Sequence, residues 1–154
     1  MRPGPPRLAM GSFRDECGTA VVEFVFLAVL VMVPLFYLVM TLARVQAGAY
    51  AASTAAREAG RAYVTASSQG DADVRARAAA RIAFADQGFD PGETGLRMAC
   101  DGDPCLRPDG RIEVSATVRV ALPLVPSFAR AVVPLEVAVG ATHVAVVDRF
   151  RGAP

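Results

Sequence analysis

The chain has 154 residues, which leaves room for one small domain beside a membrane segment. Its formal net charge is +1, with 16 basic and 15 acidic side chains, and it lacks the basic stripe that nucleic-acid-binding proteins carry. A single His and the absence of Trp leave little material for acid–base or metal chemistry. Hydrophobic residues make up 53% of the chain, and their excess lies near the N-terminus. These numbers argue against nucleic-acid binding and give little support to catalysis.

An uncharged segment of twenty residues runs from Phe24 to Ala43. At 1.5 Å per residue, a helix of this length spans roughly 30 Å, the thickness of a bilayer's hydrocarbon core. A cleavable secretory signal is the rival interpretation, but its apolar region should be only about 7–15 residues long. We therefore predict a transmembrane helix over residues 19–43. Arg residues flank the span on both sides, so the positive-inside rule barely decides its orientation.

Glu23 lies at the N-terminal edge of this span. A carboxylate inside lipid costs on the order of 2–3 kcal/mol, so it usually has a partner or reaches the aqueous interface. Gly18 is followed by Thr19, and Glu23 is the fifth residue counted from Thr19. This spacing, directly before a long apolar helix, resembles the processing site of type IV prepilins and their pseudopilin relatives.

The resemblance implies that a membrane-embedded prepilin peptidase cuts between Gly18 and Thr19 on the cytoplasmic side. Residues 1–18 would then be a leader. The new Thr19 amine would be a positive group available to the Glu23 carboxylate of a neighbouring subunit during assembly. The same resemblance places the N-terminus in the cytoplasm and the C-terminal domain outside the cytoplasmic membrane.

The helix is expected to continue beyond the membrane over residues 44–66, which contain no Pro and many Ala, the best helix former. Small residues recur here every four positions, at Gly48, Ala52, Ala56 and Gly60. Such a ladder permits the close approach of another helix. The same stripe also suits packing against the chain's own domain, and the sequence leaves both alternatives open.

Two segments on either side of the span resemble the TadE-like proteins, minor pilins of the Tad (Flp) pilus system. One is the run from Ala20 to Phe24 that leads into the apolar segment, and the other is the run from Ala55 to Ala62. The second departs slightly from the family pattern, because Ala59 and Gly60 stand in reversed order. The partners implied by the resemblance are the prepilin peptidase, other Tad pilins, the assembly platform and its motor.

Residues 67–154 are predicted to form a small extracytoplasmic α+β domain. A turn over residues 67–70 leads into a second, short helix that Asp71 or Asp73 would cap. This helix is expected to end near Gln87, with Gly88 as its C-terminal stop.

A small antiparallel sheet of about three strands is expected after this helix. Apolar and polar residues alternate from Ile112 to Leu122, the pattern of a half-buried strand. Residues 96–100 are a candidate hairpin partner, and a last long strand is expected over residues 135–147. Residues 123–134 are interpreted as a connection in which Phe128 packs inward.

Cys100 and Cys105 lie in the predicted loop between the first two strands, and we predict that they form a disulfide. Such bonds persist in oxidising compartments, which agrees with an extracytoplasmic domain. We predict no metal site or cofactor. A zinc site would need more ligands than His143 supplies. The acidic residues Asp101, Asp103 and Asp109 lack the order of a calcium-binding EF-hand loop, so a solvated turn is the better interpretation.

The leading functional hypothesis is a minor pilin that takes part in assembly of a Tad-type pilus, with no enzymatic activity and no small-molecule substrate. The alternative is an unprocessed, signal-anchored envelope protein that presents a small binding domain. A third hypothesis is a secreted enzyme released by cleavage near Ala47 or Ala49.

Overall fold

The computed structural model describes residues 16–122 and 136–150, with side chains from residue 20 onward. Helix α1 runs over Glu16–Val64 and helix α2 over Gln69–Asp86. Strands β1, β2 and β3 follow over Thr94–Cys100, Arg111–Ala121 and Glu136–Val146. The strands form one antiparallel sheet in the order β1-β2-β3. This arrangement confirms the predicted α+β class, with a long helix, a short helix and three antiparallel strands.

Internal contacts divide the chain into two compact units, the first ending at Val39 and the second beginning at Met40. The first unit contains the N-terminal part of α1, and its large apolar side chains are about half to two-thirds exposed. Helix α1 is long and apolar enough to cross a membrane. None of its most apolar segment is buried against the rest of the protein. It continues through Pro34 without a break, as membrane helices tolerate.

In the second unit, the core forms between helices rich in Ala and the apolar face of the sheet. Strand β2 is central, and its alternation is as predicted: Ile112, Val114, Ala116, Val118 and Val120 are fully buried, while most residues between them are exposed. The expected connection over residues 123–134, including Phe128, lies outside the described residues.

The start of α2 differs from the prediction that Asp71 or Asp73 caps it. Ser68 is the N-cap, with extended backbone angles, and its hydroxyl accepts a hydrogen bond from the Asp71 backbone N–H at 3.3 Å. Asp71 therefore lies inside the first turn, where its charge also suits the helix dipole. Ser and Asp are equally good N-caps, so the sequence did not distinguish them. At the other end, Gly88 has a φ of +70°, the left-handed conformation typical of a helix stop.

Candidate functional site

The predicted processing junction lies in the first turns of α1. The helix begins at Glu16, so Gly18 and Thr19 are already helical. Glu23 is four residues beyond Thr19, one turn further along the same side of the helix. The Glu23 side chain is exposed, as are the large apolar residues that follow it. The junction thus stands at the start of an uninterrupted helix with an uncovered apolar surface. Cleavage itself remains a prediction.

The small-residue ladder on α1 packs against the chain's own sheet. A Cβ atom built on Gly48 would lie 2.6 Å from Cγ2 of Val120, and one built on Gly60 would lie 3.1 Å from Cβ of Ala145. Ala52 and Ala56, between these glycines, are fully buried. Of the two alternatives that the sequence left open, the structure selects packing within the domain.

The second TadE-like segment, residues 55–62, divides into a buried and an exposed side. Its small residues Ala55, Ala56, Ala59 and Gly60 are buried. Arg57, Glu58 and Arg61 point to solvent, and Arg61 and Glu58 form an exposed ion pair at 3.5 Å. Such a pair contributes little to stability. The spacing of this segment therefore reflects helix–sheet packing on one side and a charged face on the other.

Arg44 makes a cluster of contacts that sequence reasoning did not find. Its guanidinium donates hydrogen bonds to the carbonyl oxygens of Gln87 and Gly88, at 3.4 and 2.9 Å. The guanidinium carbon also lies 4.2 Å from the centroid of the Phe89 ring, a cation–π contact. A cation at the C-terminal end of α2 is favoured by the helix dipole. Because these partners are more than forty residues away in the chain, no local sequence pattern predicts the cluster.

A groove of about 620 Å³ opens between the C-terminal half of α2 and the start of β1. Its described lining is mainly apolar and includes Ile82, Ala85, Phe89 and Pro91. Arg81 and Asp90 also line it. The groove shares Gly88 and Phe89 with the Arg44 contacts.

A disulfide joins Cys100 and Cys105, as predicted, with Cα atoms 5.5 Å apart. It links the end of β1 to the following turn and lies against both helices. The Tyr63 hydroxyl is 3.9 Å from Sγ of Cys100, and the Gln69 amide donates to Sγ of Cys105 at 3.5 Å. Burial raises the pKa of the Tyr63 hydroxyl above its ordinary value of 10.0, and the Asp73 carboxylate raises it further.

Two acidic side chains of the β1–β2 loop, those of Asp101 and Asp109, have structural partners. Asp101 accepts a hydrogen bond from the Arg111 backbone N–H at 3.0 Å and pairs with Arg107 at 3.1 Å. Asp109 pairs with Arg149 at 3.7 Å. Within residues 16–122 and 136–150, no three His, Cys, Asp or Glu side chains come together as metal ligands would.

Comparison of the chain with protein family models, with curated proteins and with solved structures finds no match.

Proposed function

We propose that the chain is a TadE-like minor pilin that is processed between Gly18 and Thr19 and takes part in the assembly of a Tad-type pilus. One observation carries this proposal: the Gly18–Thr19 bond, with Glu23 one turn on, stands at the start of a single long helix whose apolar side chains are exposed. The segment resembling TadE-like proteins at residues 55–62 supports it, because its helix–sheet packing gives that spacing a structural reason.

In this proposal, cleavage creates a positively charged amine at Thr19. The Glu23 carboxylate of a neighbouring subunit would pair with it, which removes the cost of leaving that carboxylate unpaired in an apolar assembly. The exposed apolar side chains of α1 would be covered first by lipid and then by the helices of neighbouring pilins. The chain then acts through assembly and not through catalysis, with prepilin peptidase, other Tad pilins and the assembly platform as its partners.

The proposed topology places the N-terminus in the cytoplasm and the C-terminal unit outside the cytoplasmic membrane. The Cys100–Cys105 disulfide supports this orientation, because structural disulfides persist in oxidising compartments and are rare in the cytosol. Whether the subunit enters the fibre or only starts its assembly does not alter this topology.

The mature N-terminus tests the proposal. In a host that has prepilin peptidase, intact-mass spectrometry of the membrane-extracted protein should show a chain that begins at Thr19. Gly18→Ala should block processing, while the matched change Gly11→Ala within the leader should leave it intact. A mature chain that retains residues 1–18 would instead support the signal-anchored envelope protein, and a soluble product cut near Ala47 would support the secreted form.

A further inference from the structure

Arg44 indicates which part of the C-terminal unit meets the membrane surface. It directly follows the uncharged segment that ends at Ala43. If that segment spans the bilayer, the Arg44 guanidinium lies at the level of the lipid headgroups, where Arg side chains at the end of a span reside. The carbonyl oxygen of Gly88 and the ring of Phe89 touch this guanidinium and therefore share its level.

With α1 inserted in this way, the groove beside Phe89 would lie at the membrane surface. Ile82, on its wall, is 64% exposed, so its aliphatic side chain is accessible from the groove. Ala85 and Pro91 extend the apolar lining. A volume of about 620 Å³ falls within the range of small-molecule sites.

We propose that this groove binds a zwitterionic phospholipid from the membrane leaflet on the side of the C-terminal unit. The inference rests on the membrane insertion of α1 in the proposed function, but not on processing or pilus assembly. The apolar wall receives the upper part of an acyl chain, and the headgroup lies at the rim of the groove.

The charges on the rim match such a headgroup. Arg81 and Asp90 both line the groove, and within the described part of the chain neither forms an ion pair. A guanidinium is well suited to hydrogen-bond a phosphate, and a carboxylate attracts an ammonium group. A headgroup that carries both a phosphate and an ammonium complements this pair better than an anionic headgroup, which the Asp90 carboxylate would repel.

Two exposed aliphatic residues on α2 provide a matched test of position. Ile82 and Val74 are 64% and 68% exposed, and they lie eight residues apart on the same helix. The full-length chain, with Cys17→Ser, is reconstituted in phosphatidylethanolamine–phosphatidylglycerol nanodiscs with a nitroxide at Ile82→Cys, Val74→Cys or Leu30→Cys. Collisions with oxygen and with a polar nickel chelate then report the depth of each nitroxide.

We expect the nitroxide at position 82 to collide with oxygen but to be shielded from the nickel chelate. We expect the nitroxide at position 74 to be fully accessible to the chelate. Equal chelate access at positions 82 and 74, with the label at position 30 in hydrocarbon, would overturn lipid binding in the groove. If the label at position 30 is also aqueous, the membrane insertion itself is wrong, and this inference is wrong with it.

A second measurement addresses the headgroup. Native mass spectrometry of the detergent-released chain counts retained phosphatidylethanolamine in the presence of competing phosphatidylglycerol. Arg81→Gln should reduce the retained lipid about fivefold, the effect of one lost guanidinium contact at a membrane surface. Arg77→Gln, on the same helix but outside the groove lining, should retain it. Equal losses in both variants, or retention in both, would contradict the role of Arg81.

Discussion

The guanidinium of Arg44 lies over the ring of Phe89, with its central carbon 4.2 Å from the ring centroid. The same group donates to two carbonyl oxygens at the end of α2, so one side chain connects α1, α2 and the loop that follows. Replacing Arg44 by Leu should destabilise this corner by about 1–2 kcal/mol, because a charged hydrogen bond and a cation–π contact are lost together.

Amide hydrogen exchange over residues 84–90 of the detergent-solubilised chain measures this change. Arg77→Leu is the control, because Arg77 is an exposed Arg on the same helix as the C-terminal carbonyls. Unchanged protection in the Arg44 variant would show that the contacts do not hold the end of α2 in place.

The close approach of α1 to the sheet predicts an effect at Gly48. Adding a methyl group there would place it 2.6 Å from Cγ2 of Val120, a fully buried side chain, so the helix or the sheet would have to shift. Gly48→Ala should therefore destabilise the domain by about 1–2 kcal/mol despite the better helix propensity of Ala.

Gly70 in α2 provides the opposite case, because no atom lies within 4 Å of a Cβ built there. Gly70→Ala should be neutral or stabilise the chain by up to about 1 kcal/mol. Thermal unfolding of the two variants in the same detergent compares them. A neutral Gly48→Ala would mean that α1 and β2 are further apart than the structure shows.

The features of the fold that could be predicted from the sequence were those encoded by residues close together in the chain. Alternation over residues 112–122 identified the central strand, because a period of two has one structural meaning. The Gly48 ladder was ambiguous, since close packing on a sheet and on a helix both require small residues. The Arg44 contacts join residues more than forty positions apart, which no periodicity encodes. The roles of Gly18 and Glu23 stay predictions.

The Cys100–Cys105 disulfide should contribute about 2 kcal/mol, less than a typical disulfide because it closes a short loop. Reduction should lower the urea midpoint of the natural chain. The variant with both Cys100→Ala and Cys105→Ala should have a urea midpoint close to that of the reduced natural chain. Reductant should not change it. A midpoint of the natural chain that does not move on reduction would contradict a stabilising role.

Tyr63 predicts how stability changes at alkaline pH. Burial and the Asp73 carboxylate raise the pKa of its hydroxyl in the folded state, so the folded chain holds this proton more tightly than the unfolded chain. The contribution of Tyr63 to the free energy of unfolding is therefore fully present below about pH 10, the pKa of its hydroxyl in the unfolded chain. This contribution falls as the pH rises above that value.

Tyr63→Phe should therefore flatten the loss of stability above about pH 10, measured as the urea midpoint against pH. Tyr50→Phe is the control, because Tyr50 is 69% exposed. A slope that is identical in the natural chain and in Tyr63→Phe would refute the influence of this proton.

Glu23 carries the assembly part of the proposed function. Glu23→Val should leave cleavage at Gly18 intact but reduce surface pili at least about tenfold, because the amine of Thr19 loses its partner in an apolar environment. Glu58→Gln, an exposed carboxylate on the same helix, should leave pili unchanged. The readouts are the mature N-terminal mass and the amount of pili sheared from cells. Normal piliation in the Glu23 variant would exclude the proposed pairing.

The buried faces of both helices consist mainly of Ala, including Ala51, Ala55, Ala59, Ala72 and Ala76. An alanine side chain has no rotamers to lose, so ordering it on folding costs no side-chain entropy, whereas a buried Leu or Ile loses about 0.5–1 kcal/mol. Each Ala also buries little apolar area, so stability here comes from many small contacts that are inexpensive to order. Such a core leaves little room for larger residues where α1 meets the sheet, as the close approach at Gly48 and Gly60 shows.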